Sequence, residues 1–314
     1  MDLESLRFHY LRRVVGTALK AVGIEAADGF GRRVAGSLFS LAGPGRRRAE
    51  DRVQGWLDDQ RRSDDAGRIV REMYEHIGRF WVESLFVGRL LRATSWRRFV
   101  DVPDISRWRE IAASGRGCLI ATGLYGHPGV LACALGRVFG RLHVVADQIQ
   151  DPAAAALQNE LYRVPCVVPL DRATAATEVP QLLERGRAVM IISESERATG
   201  RACEIRFLGR RIRAYPTLAR LARSFDVPIV PAICRRGASA FRFEVLMNEP
   251  VEADASRDES EVVGEILGRL ERLIGNAPEQ YLWMTPVLAD RRALRLSESG
   301  AAAESDSELS RLSA

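Results

Sequence analysis

The hydrophobic rhythm of the chain changes near residue 100. Before it, apolar residues recur at helical spacing. Leu6, Tyr10, Val14, Leu19 and Val22 carry Arg7, Arg12, Arg13 and Lys20 between them, and Gly31–Gly43 repeats the pattern. Such basic amphipathic stretches fit either a membrane surface or the protein's own core. The glycine–proline–glycine run Gly43–Gly45 predicts a turn that closes this part. Residues 46–92 then read as helices; Ile69, Met73, Ile77, Phe80 and Trp81 mark one face, and Asp64 or Asp65 is placed to cap it.

From Val100 the apolar residues gather into short runs. Gly117–Thr122, Leu142–Asp147, Val164–Leu170, Ala188–Ser193, Val227–Cys234 and Phe241–Asn248 predict strands. Helical patterns fall between or after them over Val130–Gly140, Asp151–Arg163, Thr177–Gly186, Thr217–Asp226 and residues 258–275. Alternation of this kind predicts an α/β fold, a mostly parallel sheet flanked by helices, behind a helical N-terminal region. The divisions are a helical, membrane-associating region over 1–95, an α/β domain over 96–295, and a disordered Ser/Ala/Glu-rich tail over 296–314.

Composition narrows the function. The net charge is +5, and the positive charge is almost all arginine, with Lys20 the single lysine. A GC-rich coding sequence gives this bias, and so does a surface for anionic lipid or an acidic partner. No zinc-finger or RNA-binding motif accompanies the charge, so nucleic acid is not expected as a partner. The five cysteines form no C-x-x-C pair and read as buried reduced thiols. Four unclustered histidines predict no metal site. The N-terminus lacks the apolar core of a signal peptide, and no apolar run reaches transmembrane length, so membrane contact is expected to be peripheral.

Candidate chemistry lies at ATGLYGHPGVLACALG (Ala121–Gly136), a strand, a glycine-rich turn and a helix start. A second candidate is SESERATG (Ser193–Gly200). Neither G-x-S-x-G, G-x-G-x-x-G after a strand, nor a P-loop is present.

His76–Leu90, Gly117–Leu135, Ala188–Gly209, Ala214–Arg235 and APEQYLWM (Ala277–Met284) follow one another in an order that resembles the bacterial lipid A biosynthesis (lauroyl/myristoyl) acyltransferases, within the lysophospholipid acyltransferase-like group. The resemblance spans about residues 15 to 290. It implies transfer of a fatty acyl group from acyl carrier protein or coenzyme A to a lipid or glycolipid hydroxyl. It also implies no bound cofactor, and a peripheral place on the cytoplasmic face of the inner membrane, against anionic lipid. That family places a histidine, four residues, then an acid after its first strand; the histidine takes the acceptor hydroxyl's proton and the acid orients it. Here those positions are Leu124 and Gly129.

His127 has three open readings: a displaced base served by Asp147 or Glu194, a structural residue at a helix start, or a ligand contact without proton transfer. Tyr125 beside it is a candidate substrate contact. The resemblance matches Glu194 and Arg197 to an acceptor-phosphate block, Arg197 supplying the phosphate fork; Ser195 and Glu196 depart from it, and a solvated polar loop is the other reading. Thr285-Pro286-Val287 stands where the family carries a His-Arg-Arg run. The polar departures admit a second function, an inactive acyltransferase homologue that binds lipid or scaffolds a partner.

Overall fold

The computed structural model describes residues 14–146, 158, 161–162, 164–193, 202–254 and 256–284. Its centre is a seven-stranded sheet in the order β1-β9-β8-β2-β5-β3-β4. The strands are β1 Val100–Asp101, β2 Cys118–Thr122, β3 Leu142–Ala146, β4 Val167–Asp171, β5 Ala188–Ile192, β8 Ile229–Arg236 and β9 Phe243–Met247. From β4 through β3, β5 and β2 to β8 every pairing is parallel, and β9 closes antiparallel on β8. The mostly parallel α/β expectation therefore holds.

Burial on both sheet faces explains the continuous apolar runs. Along β2, Leu119 and Ala121 enter one core cluster while Cys118 and Ile120 enter the other. The first cluster lies under α3 (Gly43–Asp59), α4 (Ala66–Ser84), α8 (Arg172–Glu184), α9 (Thr217–Phe225) and α10 (Glu259–Ile274); the second centres on α7 (Pro128–Val138). Two short helices, α5 (Val87–Leu90) and α6 (Ile105–Ala113), lead into the sheet. All five cysteines are free, and four are buried.

The N-terminal region is a helical layer. Helical residues 14–22 (α1) precede α2 (Ile24–Leu41), which packs antiparallel on α4 through a buried Arg79–Asp28 pair at 2.8 Å and an Arg32–Glu75 pair. Gly31 and Gly78 make the crossing close, since a Cβ on Gly78 would run into the Gly31 carbonyl. Asp65 caps α4 by accepting from the Gly67 and Arg68 amides.

Two expectations need correction. Gly43–Gly45 is not a turn: the break is at Ala42, and α3 begins at Gly43 with Pro44 in its first turn. A first-turn proline loses nothing, because its missing N–H would have no helical partner there. A second correction is the hairpin of β6 (Cys203–Phe207) and β7 (Arg210–Ala214), which lies outside the main sheet. Its arginines mask a period-two pattern that buries Ile205, Phe207 and Ile212.

Candidate active-site loop and its supports

The loop after β2 is held from three sides. Gly126 has φ +55°, and a Cβ there would run into the Cys234 carbonyl. Only glycine suits both conditions. The Gly126 amide donates to Gln280 O at 2.9 Å, and the Leu282 amide donates to Leu124 O at 3.0 Å. The Gln280 side chain in turn grips β8, with Oε1 accepting from the Arg236 amide at 2.6 Å and Nε2 donating to Arg236 O at 2.9 Å. The PEQYLW stretch is thus a strap across the loop.

Beneath the strap lies a buried ion pair. Arg236 Nε donates to Glu83 at 2.8 Å and Nη2 at 2.7 Å, both side chains being wholly buried. Arg236 Nη2 also donates to Gly126 O at 3.2 Å, and Nη1 to His76 Nδ1 at 3.0 Å. One guanidinium therefore joins α4, β8 and the loop. Removing Glu83 would strand Arg236 in the core, at a cost of about 3–5 kcal/mol, whereas Glu83 without Arg236 would keep only the longer Arg79 contact at 3.9 Å.

His127 is 0% exposed. Its ring lies 4.7 Å from Phe80 and 5.8 Å from Phe243, centroid to centroid. It is the N-cap of α7, and Nδ1 accepts from the Val130 amide at 3.3 Å. Nε2 lies 3.4 Å from Ser84 Oγ, whose own hydrogen goes to Phe80 O at 2.6 Å. The hydroxyl is thus left as an acceptor, so Nε2 carries the proton and donates it. Both ring nitrogens are occupied. Burial, with Arg236 nearby, holds the pKa well below the ordinary histidine value, so the ring is neutral. A neutral imidazole in this tautomer has no lone pair left to take a substrate proton.

The space beside Gly129 is also filled. A Cβ on Gly129 would lie 3.0 and 3.2 Å from the two methyls of Leu161. Tyr125 packs in the core at 1% exposure, and its hydroxyl finds no hydrogen-bond partner among the described residues. It lines none of the three cavities found here. Glu194, Arg197 and Asp147, with Thr285–Val287, fall outside the described residues.

A family comparison now fits these features. The model for the bacterial lipid A biosynthesis acyltransferases matches residues 3–289. The chain belongs to that family. No curated protein matches it. As a member of the lipid A acyltransferase family, the chain has an acyl donor and a lipid acceptor implied for it. Within the matched span, Leu124 lies in the loop after β2 and Gly129 in the first turn of α7.

Two apolar spaces complete the picture. A cavity of about 420 Å³ opens at the carboxyl ends of β3 and β5, walled by Val145, Val179, Ile191, Leu218, Leu221 and Ile266. A groove of about 380 Å³ runs between α1, α2 and α4, lined by Leu19, Phe30, Val34, Leu38, Ile77 and Trp81. Around it Leu41 is 80% exposed and Trp81 43%. No helix among the described residues is long and apolar enough to cross a membrane.

Sequence reasoning missed Glu83, Arg236 and Leu161. A carboxylate inside the α4 run FWVES and an arginine pair ending the buried strand were the available signals for the ion pair. Leu161 carried none, being one leucine among many.

Proposed function

We propose that this family member docks peripherally on the cytoplasmic face of a membrane and holds a lipid chain without the histidine–carboxylate relay of acyl transfer. The observation that carries this is the closed tautomer of His127, with Nδ1 capping α7 and Nε2 donating to Ser84. A base must present a lone pair within reach of the acceptor hydroxyl, and this ring presents none.

The lipid-handling part is supported by the cavity at the carboxyl ends of β3 and β5, where open α/β sheets bind their ligands. Its walls suit an alkyl chain. The docking part is supported by the exposed apolar groove of α1, α2 and α4, with Lys20 and Arg33 on the same helices for anionic headgroups. Acyl transfer from acyl carrier protein or coenzyme A to a lipid hydroxyl would need a base other than His127.

The test is a transfer assay with labelled acyl carrier protein and acyl-CoA donors and total membrane lipid as acceptor. The expected result is no label in lipid, with lipid co-purifying with the protein. Label entering lipid would overturn the non-catalytic reading. Survival of that transfer in His127→Ala would place the base elsewhere.

A further inference from the structure

The second flank of the α2–α4 crossing holds a polar cavity of about 460 Å³, lined by Arg32, Glu72, Glu75, His76, Arg79 and Glu279, with Arg236 and Gln280 also in its wall. Its base is built of buried charge: Arg79 on Asp28, and Arg236 on Glu83.

Donors remain in the lining. Arg79 spends Nε on Asp28 and one Nη2 hydrogen on Ser239 O, which leaves further N–H groups of its five without a partner among the described residues. His76 accepts from Arg236 at Nδ1, so its Nε2 must carry the hydrogen. Burial and the three neighbouring guanidiniums push its pKa down to about 2, so it stays a neutral donor.

Acceptors remain in the same lining. Glu75 meets Arg32 through Oε2 alone. Glu279 has no ion pair among the described residues; burial raises its pKa, with Arg68 and Arg62 acting against the rise. A simple anion would meet these carboxylates, and a simple cation would meet the arginines. A ligand with both charges, a few bonds apart, satisfies donors and acceptors alike. The same two helices carry the apolar groove on their other flank, with the Gly31–Gly78 crossing between.

We propose that this cavity binds a zwitterion bearing a primary ammonium and an anionic group, the ammonium on Glu279 and Glu75 and the anion on Arg79 and His76. The chemistry is shared by an ethanolamine phospholipid headgroup and by a free zwitterion such as phosphoethanolamine. The site does not depend on whether the β2 loop transfers acyl groups.

The test uses the full chain in two arms. One is calorimetry with free phosphoethanolamine. The other is flotation with phosphatidylcholine/phosphatidylglycerol vesicles in which part of the choline lipid is replaced by ethanolamine lipid. Binding in either arm, weakened about tenfold or more by Glu279→Gln with thermal unfolding unchanged, is expected from losing a charged hydrogen bond. An increment with vesicles alone assigns a lipid headgroup; binding of free zwitterion alone assigns a soluble ligand. In the native protein, free phosphoethanolamine or ethanolamine lipid should also shift the His76 ring resonances, a reading that needs no variant. No binding in either arm, or binding that moves neither Glu279→Gln nor the His76 signals, overturns the proposal.

Discussion

His127 is where residue-level chemistry decides most. Its ring closes a core, caps a helix and bonds to Ser84. His127→Ala should therefore cost about 2 kcal/mol or more, from a lost cap and a cavity together. His127→Asn restores the capping oxygen and should recover part of that loss; urea denaturation of the two variants measures it. The same ring sets a pH dependence. His127 and His76 are both held below the ordinary histidine range when folded. Below about pH 6.5 the unfolded chain binds protons that the folded one refuses, so stability is full above that value and falls as the pH drops. Each such histidine contributes a slope of about 1.4 kcal/mol per pH unit. Denaturation at about pH 7.5 and about pH 5.5 checks this, with His76→Gln expected to remove one histidine's share. The glycine-rich turn was legible in the sequence because it is local. The ring's tautomer was not, since Ser84 lies 43 residues away and its hydroxyl is committed by its own helix.

Among the elements, periodicity carried the sheet well. Buried parallel strands have no polar face to confuse them; β2, β3, β5 and β9 fell within the expected runs, and β8 runs two residues beyond its own, to Arg236. The hairpin Cys203–Ala214 escaped because four arginines dilute its alternation. The capping signal did better than the Gly43–Gly45 turn signal, since Asp65 opens α4; Asp258 with Glu261 forms a capping box on α10. Asp258→Ala should lower stability by about 1 kcal/mol in thermal unfolding. A sharper test falls on the α2–α4 contact. Alanine at Gly78 meets the Gly31 backbone, which no rotamer change relieves. Gly78→Ala should cost about 2 kcal/mol and detach α2. Faster proteolysis within residues 24–41 would report it. Gly55→Ala, with open space at its Cβ, is the neutral control.

For the whole molecule, the two sheet faces serve a rigid frame and the N-terminal helices serve a surface. Their exposed apolar residues Phe30, Val34, Leu38 and Trp81 lie on the groove that we assign to the membrane, and Leu41 is exposed at the end of α2. A double change, Leu38→Glu with Leu41→Glu, should reduce flotation with anionic vesicles about tenfold or more while leaving the unfolding temperature in place. Two exposed leucines contribute little to the core but a few kcal/mol to insertion. Raised salt should weaken the remaining binding. Net charge and helical amphipathicity suggested this surface in the sequence; which residues face outward emerged only once α2 had packed on α4.

The strap has a consequence for how the chain is made. Glu83 is synthesised 153 residues before Arg236 neutralises it, and the loop at Gly126 waits still longer for Gln280. A ribosome-bound chain halted before residue 236 therefore carries a carboxylate destined for the core with only the longer Arg79 contact and without its hydrogen-bonded partner, and cannot close its central sheet. The helical layer can form early, but the frame locks only near the end of translation. Nascent chains of this protein should depend on chaperones until the PEQYLW stretch leaves the exit tunnel, and truncations that remove it should stay protease-sensitive throughout.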